Sequence, residues 1–112
     1  MAVTVYKDRD NSFSITLKKN GIDLTSSEMS DISKYEIKYR GKYYNSTSYP
    51  TAFAVTGSTV TINPQSFGLG KSSKVGDVTE FIIYTSNYPD GFVWGNFNLI
   101  VSLEAEIWIL KH

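Results

Sequence analysis

Four groups of side chains in this 112-residue chain have the types and spacing from which chemistry is made. Gly70, Lys71 and Ser72 form the ending of a phosphate-binding loop, in which the lysine would meet phosphate and the hydroxyl a magnesium ion. That loop needs another glycine five residues before Gly70, where Gln65 stands, and no helical pattern follows it. Asp8-Arg9-Asp10-Asn11-Ser12 offers the alternating oxygens of a calcium loop. Phe13 occupies the place where such a loop must turn on glycine, and the twelfth place carries no glutamate, so the stretch reads as a turn. Glu80, Glu104 and Glu106 are carboxylates of the kind that serve as acid and base in glycoside hydrolysis, a reaction that needs two of them at a set separation. Their positions suit the solvated faces of strands equally well. Lys38, Arg40 and Lys42, beside Tyr43 and Tyr44, could present a basic and aromatic face to a nucleic acid strand. Glu36 shares their parity, which weakens that field.

The whole-chain balance narrows the choice further. Eleven basic and eleven acidic side chains cancel, with eight against six up to Tyr44 and three against five after it. So small an asymmetry does not steer nucleic acid. There is no cysteine, and the one histidine is His112, which excludes Ser-His and Cys-His nucleophile pairs and zinc sites built on thiolates or imidazoles. No catalytic residue, metal or cofactor is therefore assigned, and the chain is expected not to be an enzyme. Met1-Ala-Val-Thr-Val-Tyr6 has no basic region and no apolar run of signal-peptide length, and no stretch is long enough to span a membrane as a helix. Synthesis in a cytoplasm, with no membrane and no nucleic acid as partner, is the expectation.

What remains informative is the excess of rings. Eight tyrosines, six phenylalanines and two tryptophans supply many apolar bodies, most with a polar tip, suited to core edges or to recognition surfaces. Tyr43, Tyr44, Tyr49, Tyr88 and Trp94 fall in or beside turns, which makes them the candidate ligand-contact aromatics. A protein surface and a glycan are both chemically fitting partners for them.

The elements that must position these residues are strands. Val3 and Val5 alternate with Thr4 and Tyr6; Phe13, Ile15 and Leu17 alternate with Ser14, Thr16 and Lys18, the two-residue period of a sheet with one buried face. Asn20-Gly21 accepts the positive φ angles of a tight hairpin, and Ile22 to Leu24 returns. Thr25, followed three residues later by Glu28, predicts a capping box and at most one turn of helix. Tyr35, Ile37 and Tyr39 mark a core face, with Glu36, Lys38 and Arg40 expected toward solvent, and Gly41 turns the chain into Lys42, Tyr43 and Tyr44. Phe53 and Val55 pair through Thr56-Gly57-Ser58 with Val60 and Ile62, and Asn63-Pro64 stops the run. Residues 65–77 are rich in Gly, Ser and Lys without periodicity, predicting a mobile contact loop. Phe81, Ile82, Ile83 and Tyr84 are contiguous, as in a central strand. Asn87-Tyr88-Pro89-Asp90-Gly91 is a turn. From Phe92 the last stretch is the heaviest in apolar side chains, alternating through Phe97, Leu99, Val101 and Leu103 and ending in Ile107, Trp108, Ile109 and Leu110, apolar on both parities. Such an end predicts burial against another subunit, so these four residues form the candidate interface.

Eight or nine short strands at this spacing predict a single all-β domain spanning residues 1–112, an antiparallel β-sandwich of immunoglobulin-like type. Phe13-Ser-Ile-Thr-Leu-Lys-Lys-Asn-Gly-Ile-Asp-Leu-Thr25, followed by Tyr35-Glu-Ile-Lys-Tyr39, resembles the opening of the small immunoglobulin-like β-domains of tailed-phage virion proteins, including the N-terminal domains of baseplate upper proteins. The resemblance ends at Arg40-Gly41-Lys42, where those domains carry a more acidic turn. It implies a virion component of head surface, tail or baseplate that acts through contact with itself or other virion subunits, and it brings no active-site residue. A carbohydrate-binding module using the surface tyrosines and Trp94 is the alternative.

Overall fold

The alternating stretches become strands whose apolar parity faces inward. The computed structural model describes residues 2–6, 12–69 and 76–102, with backbone placement alone for Ala2, Tyr6 and Ser102. Among them run β1 (Ala2–Tyr6), β2 (Phe13–Thr16), β3 (Lys18–Lys19), β4 (Ile22–Asp23), α1 (Ser26–Ser30), β5 (Lys34–Tyr39), β6 (Lys42–Asn45), β7 (Phe53–Thr56), β8 (Thr59–Ile62), β9 (Asp77–Tyr84) and β10 (Phe92–Ser102). The two-residue strands β3 and β4 bring the count to ten. Five strands form one sheet in the order β1-β10-β9-β5-β6, three form a second in the order β2-β8-β7, and β3 and β4 make a small hairpin between them in sequence. The order β2-β8-β7 opposite β10-β9-β5-β6 is that of an immunoglobulin-type sandwich, B-E-D facing G-F-C-C′. All pairings are antiparallel except β1 with β10, which run parallel from Ala2 opposite Asn98 to Tyr6 opposite Ser102.

The space between the sheets is filled by Leu17, Ile37, Val60, Ile62, Phe81, Leu99 and Val101, each nearly or fully sealed from water. Phe13 of one sheet meets Phe97 of the other edge-on at 5.4 Å, and Tyr35 stacks on Phe81. Turn chemistry closes the hairpins as the sequence requires. Asn20 and Gly21 both take positive φ, and so do Arg40 and Gly41 between β5 and β6. Arginine is uncommon in that region, and the glycine after it carries the same requirement without strain. Thr25 caps α1 with the reciprocal bonds of a capping box: its Oγ1 accepts from the Glu28 N–H at 3.2 Å and its own N–H donates to Glu28 Oε1 at 2.9 Å. That second bond holds the Glu28 carboxyl below the usual carboxylate range.

Two sequence expectations are corrected. Residues 65–77 do not begin as a loose loop. A 3-10 turn at Pro64–Phe67 inserts Phe67 and Leu69 into the core, because apolar side chains beyond the end of β8 can still reach it once the chain bends back. Residues 70–75, with Gly70, Lys71 and Ser72, lie outside the described residues, as do residues 7–11. Nor does the charged parity of β5 simply face water: Glu36 is 4% exposed. No helix among the described residues is long and apolar enough to cross a membrane.

Candidate functional site

The register of the five-stranded sheet sorts its side chains onto two faces. Ile83, Phe81 and Thr79 of β9 point into the sandwich, and Val78, Glu80, Ile82 and Tyr84 point outward. On the outer face Lys38 lies between Tyr43 of β6 and Glu80 of β9, its Nζ 5.5 Å from the centre of the Tyr43 ring. One step along, Glu36 lies between Asn45 and Ile82. Burying a carboxylate there requires a donor, and Tyr84 provides it: its hydroxyl donates to Glu36 Oε1 at 2.5 Å. This bond, with burial and the nearby carboxylate charge, pushes the Tyr84 phenol up to about 12. Lys34 Nζ sits 4.1 Å above the Tyr84 ring. The turn between β9 and β10 folds back onto this pair, since a Cβ on Gly91 would stand 2.9 Å from Ile82 Cγ2 and 3.0 Å from Tyr84 Cζ. Gly91 also takes φ +95°, so close approach and backbone conformation both require glycine there.

That turn places an aromatic strip at the end of the sheet. Tyr88 is locked by its N–H donating to the Thr85 carbonyl and by the Thr85 N–H donating back to its own carbonyl. Its ring lies 4.8 Å from Phe92, whose ring lies 6.2 Å from Trp94. Tyr88 is 50% exposed and Phe92 39%, while Trp94 rests partly against the core. A register shift between Val93 and Gly95 marks a bulge at Trp94, which re-aims the side chains on either side of it. Val93, 45% exposed, shares the outer face with Ile82. No charged residue interrupts Phe92 to Phe97.

The five aromatics singled out in the sequence therefore separate. Tyr88 and Trp94 come together through Phe92, which the sequence reading did not include. It precedes the alternation that begins at Phe97, so the pattern assigns it no face, and the end of the sheet leaves it uncovered. Tyr44 and Tyr49 instead pack with Phe67, at 4.8 and 5.1 Å between ring centres, at the rim of the core. Burial pushes the Tyr44 phenol up. Tyr43 stands by itself among the five, 55% exposed on the outer face of β6. Of the carboxylates considered for catalysis, Glu80 lies opposite Lys38, and Glu104 and Glu106 fall outside the described residues. So does the candidate interface Ile107, Trp108, Ile109 and Leu110.

Two concave places accompany the strip. A shallow cavity of about 210 Å³ is lined by Lys38, Arg40, Gly41, Asp77, Val78 and Glu80, where Arg40 Nε stands 3.8 Å from Asp77 Oδ2. A wider groove of about 550 Å³ runs between α1 and the β7-β8 turn, with Leu24, Met29 and Val55 in its wall. The first mixes both signs of charge and the second is open. No group of three or more His, Asp or Glu side chains among the described residues could hold a metal ion. Compared with family models, curated proteins and solved structures, the chain has no match, so the strip stands on its geometry alone.

Proposed function

We propose that this chain is a non-enzymatic interaction domain that works through protein contact, as a component of a tailed-phage particle at its head surface, tail or baseplate. The observation that carries the reading is the strip of Tyr88, Phe92 and Trp94, with Tyr88 and Phe92 exposed, at the end of β10. Aromatic side chains in a cluster without charges are what the energetic centres of protein interfaces are made of. The rings lie at 39° and 73° to one another. Tilted rings suit an irregular protein surface better than the flat face of a sugar, which stacks on one plane, and this favours protein over glycan. The particle assignment rests on the resemblance of residues 13–39 to virion β-domains, together with the balanced charge and absence of cysteine.

The test begins with the genes flanking this one. Their products, purified and mixed with the intact chain, are expected to include one that forms a stable complex by light scattering. Phe92→Ser and Trp94→Ser are expected to weaken that complex while the fold, followed by circular dichroism, persists. Flanking genes unrelated to capsids and tails would refute the particle assignment. A complex indifferent to both substitutions would refute the strip, and binding on a glycan array instead would return the reading to a sugar module.

A further inference from the structure

Among the described residues, the outer edge of β10 is paired along only part of its length. β1 pairs with Asn98 to Ser102 and stops, so among the described residues Phe92 to Phe97 has β9 on one side and no strand on the other. Alternate residues of a strand aim their N–H and C=O groups to opposite sides, so this edge presents backbone donors and acceptors with which no described strand pairs. Natural edges are usually guarded by charge or proline. Phe92-Val93-Trp94-Gly95-Asn96-Phe97 has neither, and its one guarding device is the bulge at Trp94.

Resting on the interaction-domain reading above, we propose that this edge pairs with the same edge of a second copy, antiparallel about a two-fold axis, joining two five-stranded sheets into one. Three features select a second copy. The uncovered edge is a notch about 20 Å long and about one strand spacing deep, ended by β1, and a two-fold partner carries the matching notch and step. The order of residues is self-complementary in the register centred between Trp94 and Gly95. Phe92 then faces Phe97 of the second copy, Val93 faces Asn96, and Trp94 faces Gly95, a glycine with open space over it that an aromatic ring can cover. Inner-face residues meet inner-face residues in this register, because Phe92 and Phe97 share the face of Ile83 and Thr79, while Val93 and Asn96 share that of Ile82 and Glu80. The bulge is matched by its own copy in reverse, whereas an ordinary straight strand would meet it out of step. A six-residue edge is shorter than a standard interface of about 1,600 Å² demands, so the pairing is weak in dilute solution and strengthens where copies are held close together.

The absence of cysteine makes a direct test clean. The double variant Val93→Cys with Asn96→Cys is expected to form a covalent dimer on mild oxidation, while Val78→Cys, also exposed on the outer face, does not. In the unsubstituted chain, sedimentation is expected to show a dimer growing with concentration, with amide exchange slowing at Phe92 to Phe97. Val93→Lys, which sets a charge at both symmetric positions, is expected to weaken that dimer roughly tenfold. A chain that stays monomeric and uncrosslinked overturns the inference, as does a dimer untouched by Val93→Lys. Slowed exchange at this edge only when a virion partner is added would overturn self-pairing while leaving the interaction-domain reading intact.

Discussion

Replacing Tyr84 with phenylalanine isolates the buried carboxylate of Glu36 on the outer face. Glu36 is 4% exposed and Tyr84 donates to it at 2.5 Å. The phenyl ring would keep its place under Lys34 and against Gly91, so the change removes the hydroxyl and little packing. A hydrogen bond to a charged group contributes about 1.5–3 kcal/mol, and leaving its buried acceptor unpaired accounts for most of the loss. Near this chain length a loss of 1 kcal/mol lowers the melting temperature by about 4 °C, which predicts a fall of about 6–12 °C. Urea unfolding of the parent, Tyr84→Phe, Glu36→Gln and the double variant closes a cycle whose coupling measures the pair itself. Glu36→Gln alone should cost less, since the amide oxygen still accepts from the phenol. The cycle also carries a pH signature. The folded-state pKa of Tyr84 is raised from 10.0 to about 12, so the stability it contributes is fully present below pH 10 and is lost as pH rises toward about 12. The gap between parent and Tyr84→Phe should therefore narrow over that interval. A Tyr84→Phe protein within about 0.5 kcal/mol of the parent at neutral pH, a range ordinary for surface substitutions, would show that Glu36 does not depend on this donor.

Three further substitutions probe the turn beside the strip and the cap of α1. Gly91→Ala should destabilise by more than about 1 kcal/mol, the usual scale of a misplaced alanine at positive φ; its methyl would also press on Ile82 and Tyr84. Denaturant midpoints equal to the parent's would mean the turn can shift outward. Thr25→Ala should cost about 0.5–2 kcal/mol through the lost cap. Glu28, whose pKa is lowered by the Thr25 N–H, stabilises above the ordinary carboxylate pKa and loses that contribution as pH falls through its lowered value. Thermal melts of Glu28→Gln should thus differ from the parent at neutral pH and converge with it in acid; a difference that persists in acid would place the effect elsewhere.

Much of this domain was determined by local pattern alone. Strict alternation at Phe13, Ile15 and Leu17 or at Phe97, Leu99 and Val101 admits only a strand with one buried face, since a one-residue slip would expose the whole set. Asn20-Gly21, Gly41 and the Thr25-Glu28 pair determine where the chain turns and where its short helix starts, because few other residues satisfy those backbone angles and orphan N–H groups. The contiguous apolar run of β9 likewise announced a strand between two others, with β10 and β5 on either side. What parity could not decide was which outward positions stay dry and which apolar ones stay wet. Glu36 shares the charged parity of its strand, which points to solvent, and Phe92 opens an apolar stretch whose alternation gives it no face. Glu36 is buried because Tyr84, an outer-face residue on the neighbouring strand, supplies a donor. Phe92 is exposed because it stands where the sheet ends, and the first strand of the chain covers β10 only from Asn98 onward. Both outcomes depend on neighbours distant in sequence, and on an edge that exists only once the strand order is set. For the same reason the aromatic residues near turns, similar as a list, divided into a rim of the core around Phe67 and an open strip around Phe92.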